Sequence, residues 1–455
     1  MTEATPTPLT ALLAEWAAGL SFEDLPDAVV HQAKRVILDY LAAVAAGSAS
    51  DSAQIVQKYL GQNAAEGPAA VVGSPLRLAP ASAALGNGAA AHGLEVDDGY
   101  TPGGYHPGAP TLSAILAKAE AQDASAEQIL VATVVAFELS CRLAGAGHPA
   151  TWRRGFHNTP VVGVFGAAAG VAKLAGGDPH TITQALGIAG SHAGGLFEFL
   201  GSGAEVKRLH AGKAGHDGVV SAELALLGLT GPATVLEGRN GYLRAYADGD
   251  YDEEHLIGGL GAEWRMLRTY VKPYPCCRHL HGPIDAVLAL REQAPIDPDV
   301  VRAVTVETFT SASRHNGRNI ADFLDAQMSI PYAVAVTLLH GTPALQHFET
   351  DMRQDPRVRR LVDLVQVTEA ADCVRDFPAM RPARVTVNVA GENRVLRVDQ
   401  PYGEPDNPVN DADLEAKFHR LAGPVLGVER CQRIVAQVRA FDAPGVLFDL
   451  LATPT

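Results

Sequence analysis

The stretch Tyr270-Val-Lys-Pro-Tyr-Pro-Cys-Cys-Arg-His-Leu-His-Gly-Pro-Ile-Asp285 divides the chain. Before it, apolar residues recur at helical spacing; after it, strand-like alternation begins. The stretch sets Lys272 in a two-proline loop and places Arg278, His279 and His281 ahead of an apolar helical run. In a chain of formal net charge -15 such a basic island needs a reason. A small anion is the simplest. His106, His157 and Lys207 repeat the design, each just before a helix-like run rich in small residues. Backbone N–H groups and the macrodipole at a helix start favour negative charge. Four such loops point to a pocket for a polycarboxylate.

Working back from this stretch, the chain reads as helix up to about Arg265. Pro26 looks like a first-turn proline, and Val29, Val30, Ala33, Val36, Ile37, Tyr40 and Leu41 form one apolar face. A helix is expected from near Pro160, with Asn158 as its cap, to Gly176-Gly177. Its many glycines imply close approach of a neighbouring helix. Asp178-Pro179 caps the next one, and strand alternation is absent from this part. Beyond about Leu267, Val301–Phe309 and Val362–Thr368 read as strands. Ala383–Val389 and Arg394–Val398 flank Gly391-Glu392-Asn393 as a hairpin. Helical segments near Leu280–Glu292 and Tyr332–Leu339 lie between strands, and helix returns from about Asp411. The expected fold is mainly α with an inserted α+β lid. A large all-helical domain comes from residues 1–267 and 405–455, and a smaller α+β domain from 268–404. The cleft between them is the expected site, because ligand pockets favour domain interfaces.

A length of 455 residues fits two domains. With 47% hydrophobic and 19% charged residues, the composition is that of a soluble globular enzyme. The acidic balance argues against nucleic acid or an anionic membrane as partner. Cys141, Cys276, Cys277, Cys373 and Cys431 show no CxxC pair and no zinc spacing. They read as reduced thiols of a cytoplasmic protein, without an iron–sulfur cluster. The start, Met1 to Pro6, lacks a basic and then apolar leader. The apolar runs Ile129–Phe137 and Val161–Ala172 are shorter than a bilayer requires.

Four motifs carry candidate chemistry. In the first, His92-Gly-Leu-Glu95-Val-Asp97-Asp98-Gly99-Tyr100 precedes Tyr105-His106-Pro107-Gly108. Its carboxylates and histidines fit a metal site, a network orienting His106 as proton carrier, or a solvated loop. In the second, Gly155-Phe156-His157-Asn158 places a histidine where the helix dipole keeps it neutral; it reads as a structural cap or as a proton acceptor. The third runs from Gly201 through Glu205, Lys207, Arg208, His210 and Lys213 to His216. Its spacing is wrong for a phosphate loop, and it reads as a carboxylate-binding or a solvated helix start. In the fourth, Cys276-Cys277 reads as buried packing more readily than as a nucleophile. Tyr332 reads as a core tyrosine. No GxGxxG follows a strand, so a dinucleotide site is not supported.

The ordered set His-Gly-Leu-Glu-Val-Asp-Asp, His-Pro-Gly-Ala, Gly-Phe-His, Lys-Arg-Leu-His-Ala-Gly and Lys-Pro-Tyr-Pro-Cys-Cys-Arg resembles the MmgE/PrpD family over nearly the whole chain. The family includes 2-methylcitrate dehydratase, cis-aconitate decarboxylase and iminodisuccinate epimerase. The resemblance implies a helical domain with an α+β lid, homodimers and no cofactor, and no metal ligand is assigned beyond the open possibility at the Glu95–Asp98 loop. It puts catalytic roles on His106, His157, Lys207, Lys272 and Tyr332 and the family's acidic loop position on Glu95; with Glu95, Arg278 and His281 of the basic island are the expected substrate contacts. Gly99 stands where decarboxylase-like members carry threonine, and the loop from Asp98 to His106 is longer. The implied chemistry moves a proton at a carbon beside a carboxylate. The leading expectation is a hydro-lyase acting on a 2-methylcitrate-like hydroxy polycarboxylate. An iminodisuccinate-type epimerase, a cis-aconitate-type decarboxylase and a non-catalytic anion binder are the alternatives.

Overall fold

The computed structural model describes residues 8–201, 204–441 and 444–451. The leader region Met1 to Pro6, and Ser202 and Gly203 of the third motif, lie outside the described residues. The chain divides into two compact units, one running to Tyr270 and resuming at Asn410, the other Val271–Val409. The structure is mostly helical with small mixed sheets.

The first unit opens with α1 (Leu9–Gly19) and α2 (Asp27–Gly47). Pro26 sits just before α2, and its carbonyl accepts from the N–H groups of Val29 and Val30. Along α2, Val29, Ala33, Val36, Ile37, Tyr40 and Leu41 are buried, as the apolar period requires. A short antiparallel pair follows, β1 (Glu66–Ala70) and β2 (Arg77–Leu78). These strands are too brief to show alternation in the sequence. Then come α3 (Pro80–Ala91), α4 (Gly108–Gln122), α5 (Ala126–Gly147), α6 (Asn158–Leu174), α7 (Pro179–His192) and α8 (Val206–Leu226).

The glycines of α6 do mark a close approach. A Cβ on Gly166 would lie 2.7 Å from Ser140 Cβ and 2.8 Å from the Ala136 carbonyl oxygen, both on α5. Asp178 caps α7 by accepting from the Thr181 N–H at 2.7 Å. Two readings need correction. Asn158 does not cap α6; His157 holds the cap position, and Asn158 Nδ2 donates to the Gly103 carbonyl at 2.6 Å. The run near Ile129 belongs to α5, whose 22 residues are long and apolar enough to cross a membrane. Its most apolar window is wholly buried inside the unit, which accounts for that hydrophobicity.

The second unit is built on a four-stranded sheet of order β4-β3-β5-β6. Helix α9 (His281–Gln293) leads into β3 (Val301–Thr308). Helices α10 (Ile330–His340) and α11 (Pro356–Leu364) precede β4 (Val365–Glu369), which pairs parallel to β3. Strands β5 (Ala383–Val389) and β6 (Glu392–Val398) complete it antiparallel. Ile284, Val287 and Leu290 of α9 share a core with Val304, Val306, Val385 and Val387 of the sheet. Here too the structure departs from expectation. Val362 lies in the last turn of α11, and β4 opens only at Val365. The hairpin turns on Ala390-Gly391, with φ of 53° and 105°, so Glu392 already pairs with Val389. Two consecutive positive φ values suit a tight turn that matches strand twist.

The chain then returns to the first unit as α12 (Asp411–Leu426) and α13 (Val428–Ala440).

Substituting Gly166→Val should force α5 and α6 apart and cost about 1–3 kcal/mol of unfolding free energy. Chemical denaturation measures this; an unchanged midpoint would mean that the two helices do not pack this closely.

Candidate active site

In the first unit the site grows from the loop that follows α3. The His92 ring is buried, with Nδ1 2.6 Å from Asp97 Oδ2. Glu95 adopts φ 56°, a left-handed conformation that costs a non-glycine residue energy and that clusters at functional sites. Its carboxylate forms an ion pair with Lys207 Nζ, from the first turn of α8, and both side chains are buried. Asp98 Oδ1 accepts from the Gly108 N–H at 2.9 Å, at the start of α4. Burial, then the nearby Asp39 and Asp97 charges, raise the Asp98 carboxyl well above the usual carboxylate range.

His106 Nδ1 lies 2.7 Å from the Asp98 carbonyl oxygen. A carbonyl only accepts, so Nδ1 carries the proton and a neutral His106 has its lone pair on Nε2. His157 Nδ1 lies 2.9 Å from His210 Nδ1, and the His157 backbone N–H donates to the Gly195 carbonyl. The His157 ring also stacks near His92 and touches Phe197 and Phe199. Burial first, then His92, His210 and His106, hold His157 well below the ordinary histidine pKa. Burial likewise brings His210 down to about 4, with His92, Lys213 and Lys207 adding to it. The cluster therefore contains imidazoles kept neutral at physiological pH. His92, Asp97 and His106 hold ligand atoms within 4.8 Å of one another and are the residues that could take a cation.

The loop is braced from behind. Lys417 of α12 reaches the interior, with Nζ 2.5 Å from Asp39 Oδ1 of α2 and 2.7 Å from the Val96 carbonyl oxygen.

In the second unit Lys272 is 1% exposed. Arg278 and His281 form a buried strut. His281 Nε2 faces the Cys276 carbonyl at 3.3 Å and Nδ1 faces Arg278 Nη1 at 2.8 Å, so Nε2 carries the proton and Nδ1 accepts. Arg278 also donates to Glu404 at 2.8 Å and to the Tyr402 and Pro401 carbonyls. These donors brace the unit at both residues expected to contact substrate. The Tyr332 hydroxyl donates to the His347 carbonyl at 2.6 Å and the ring packs near Phe348, so this side chain is built into the core.

The structure thus brings together Glu95, His106, His157 and Lys207. It adds His92, Asp97 and His210, which the motifs contained without a catalytic role, and Lys417, which lay outside every motif. His210 lies one turn after Lys207 on α8, a signal the motif already contained. Lys417 gave none, since its partners are hundreds of residues away.

The MmgE/PrpD N-terminal domain model matches residues 11–254 and the MmgE/PrpD C-terminal domain model matches residues 274–443. The chain belongs to the MmgE/PrpD family and is an enzyme of that group. It is 30% identical to the cis-aconitate decarboxylase-like protein oryM of Aspergillus oryzae, covering 99% of this chain and 98% of that one. It is 29% identical to a cis-aconitate decarboxylase of Aspergillus terreus, over 95% of this chain and 93% of the relative. The human cis-aconitate decarboxylase is also 29% identical, over 96% and 93% respectively.

The depressed histidines make stability depend on pH with a definite sign. Below pH 6.5 the unfolded chain takes up protons that folded His157 and His210 refuse. Their contribution is fully present above that pH and falls as pH drops toward about 4. The His210→Gln variant should lose less stability than the wild type between pH 6.5 and 5 in denaturation measurements. Parallel losses in the two proteins would contradict a neutral buried His210.

Proposed function

We propose that this enzyme is a cofactor-independent lyase for small polycarboxylates, moving a proton at the carbon next to a carboxylate. The observation that carries this reading is the His106 ring, whose Nδ1 donates to the Asp98 carbonyl so that the lone pair lies on Nε2, together with His157 and the Lys207–Glu95 pair. A C–H beside a carboxylate is a very weak acid, so positive charge must stabilise the enolate-like charge as it develops. Lys207 supplies that charge, Glu95 orients it, and His106 Nε2 takes or returns the proton. His157, kept neutral, hydrogen-bonds a substrate carboxylate without adding a second cation.

The relatives' names favour decarboxylation of a cis-aconitate-like tricarboxylate. One carboxyl leaves as carbon dioxide, the electron pair of the broken C–C bond spreads into the adjoining unsaturated carboxylate, and the carbon takes a proton that comes from solvent by way of His106 Nε2. A second reading, dehydration of a 2-methylcitrate-like substrate, is favoured by Gly99. A Cβ there would lie 2.2 Å from Tyr270 Cζ and Oη, so the tyrosine fills the space that the threonine of decarboxylase-like members would need. The cytoplasmic location and homodimeric state expected from the sequence belong to the same proposal.

Proton NMR in D2O with cis-aconitate, 2-methylcitrate and iminodisuccinate tests it. Deuterium entering carbon as cis-aconitate loses carbon dioxide is the expected result. Alkene formation from 2-methylcitrate would install the second reading. Exchange on iminodisuccinate without elimination would replace the lyase by an epimerase, and silence on every compound would overturn the proposal. His106→Gln should abolish exchange while circular dichroism stays native; retained exchange would move the base elsewhere. Lys272→Ala, at the lysine the family resemblance assigns to catalysis, should lower kcat/KM about 10²–10³-fold. Wild-type turnover in that variant would remove Lys272 from the reaction.

A further inference from the structure

The reaction above leaves one reactive arrangement unused. Four of the five cysteines are buried, whereas Cys277 is partly exposed. Its Sγ lies 3.8 Å from His315 Nε2. His315 Nδ1 lies 3.0 Å from the Met328 carbonyl oxygen, so Nδ1 carries the proton and the Nε2 lone pair faces the sulfur. The Cys277 N–H donates to the Gln327 carbonyl at 2.9 Å, which fixes the cysteine backbone. The His279 backbone N–H and the Lys272 charge also act on the sulfur and favour its anionic form. A nucleophile, a base within reach and a third group orienting that base form an activated pair.

We propose that Cys277 and His315 form a thiolate–imidazolium nucleophile, a site of covalent modification by soft carbon electrophiles that carry a carboxylate. Lys272 provides the attraction for the carboxylate. With an α,β-unsaturated carboxylate, sulfur bonds to the β-carbon and the π pair moves to the α-carbon. There it takes the proton from the His315 imidazolium, and nothing is lost. With an alkyl iodide, the C–S bond forms as the C–I bond breaks and iodide leaves with the electron pair. The inference does not depend on the lyase reading.

Burial pushes the Cys277 thiol up, but His315, the His279 N–H and Lys272 outweigh it and bring the thiol down from 9.0 to about 6. At pH 6 this raises the thiolate fraction about 500-fold, and the lower basicity of the sulfur gives back about 20-fold of intrinsic reactivity. The net expectation is alkylation of Cys277 about 20-fold faster than an ordinary thiol.

The test treats the folded full-length protein with iodoacetate or iodoacetamide at pH 6 and maps the modified peptides by mass spectrometry. Cys277 should react first, about 20-fold faster than glutathione. Its iodoacetate-to-iodoacetamide rate ratio should exceed that of glutathione. His315→Gln should slow Cys277 roughly 10-fold at pH 6. A Cys277 no faster than glutathione, or a rate that His315→Gln leaves unchanged, overturns the pair. A ratio equal to that of glutathione overturns the carboxylate preference. If His315→Gln does not fold, the wild-type rate profile decides: a midpoint near 6 supports the pair and one near 9 overturns it.

Discussion

The candidate site depends on an amino group buried in the helical unit. Lys417 bridges Asp39 of α2 and the Val96 carbonyl, and so holds a loop with no regular structure against two helices. Breaking a buried pair by removing one partner typically costs several kcal/mol, because the other charge is left stranded. Here that constraint lands on the one loop whose backbone fixes the chemistry. Glu95, beside Val96, is held with positive φ and meets Lys207. Asp97 orients His92, and the Asp98 carbonyl sets the tautomer of His106.

The consequence is a set of imidazoles in which burial outweighs the nearby carboxylates. His157 and His210 face each other through their Nδ1 atoms, an arrangement that two imidazolium ions would not tolerate. A neutral ring can both donate and accept, which is what proton transfer at a weakly acidic carbon needs. Lys207 brings positive charge to this cluster, and its partner Glu95 keeps the pair from being two isolated buried ions.

Much of this was legible in the sequence, for identifiable reasons. The apolar period of α2 and the glycines of α6 announced their packing, because both are local patterns that the helix repeats. Strand β5 alternates on its two faces and was readable to the residue. The β1–β2 pair was not, since two and five residues give no period. His106, His157 and Lys207 were visible as basic residues ahead of helices. Arg278 and His281 looked alike in sequence, yet in the fold they bond to each other and to the backbone. Spacing along the chain shows which side chains are available. It does not show whose hydrogen bonds have already been used, and for that reason Lys417 and the Cys277–His315 pair are visible only in the fold.

The central claim is that the loop fixes the protonation pattern of the histidines before any substrate arrives. Long-range nitrogen–proton NMR of the histidine rings at pH 7 tests it directly. The account predicts a proton on His106 Nδ1, with His157 and His210 neutral. A bare His106 Nδ1, or an imidazolium at His157, would contradict it.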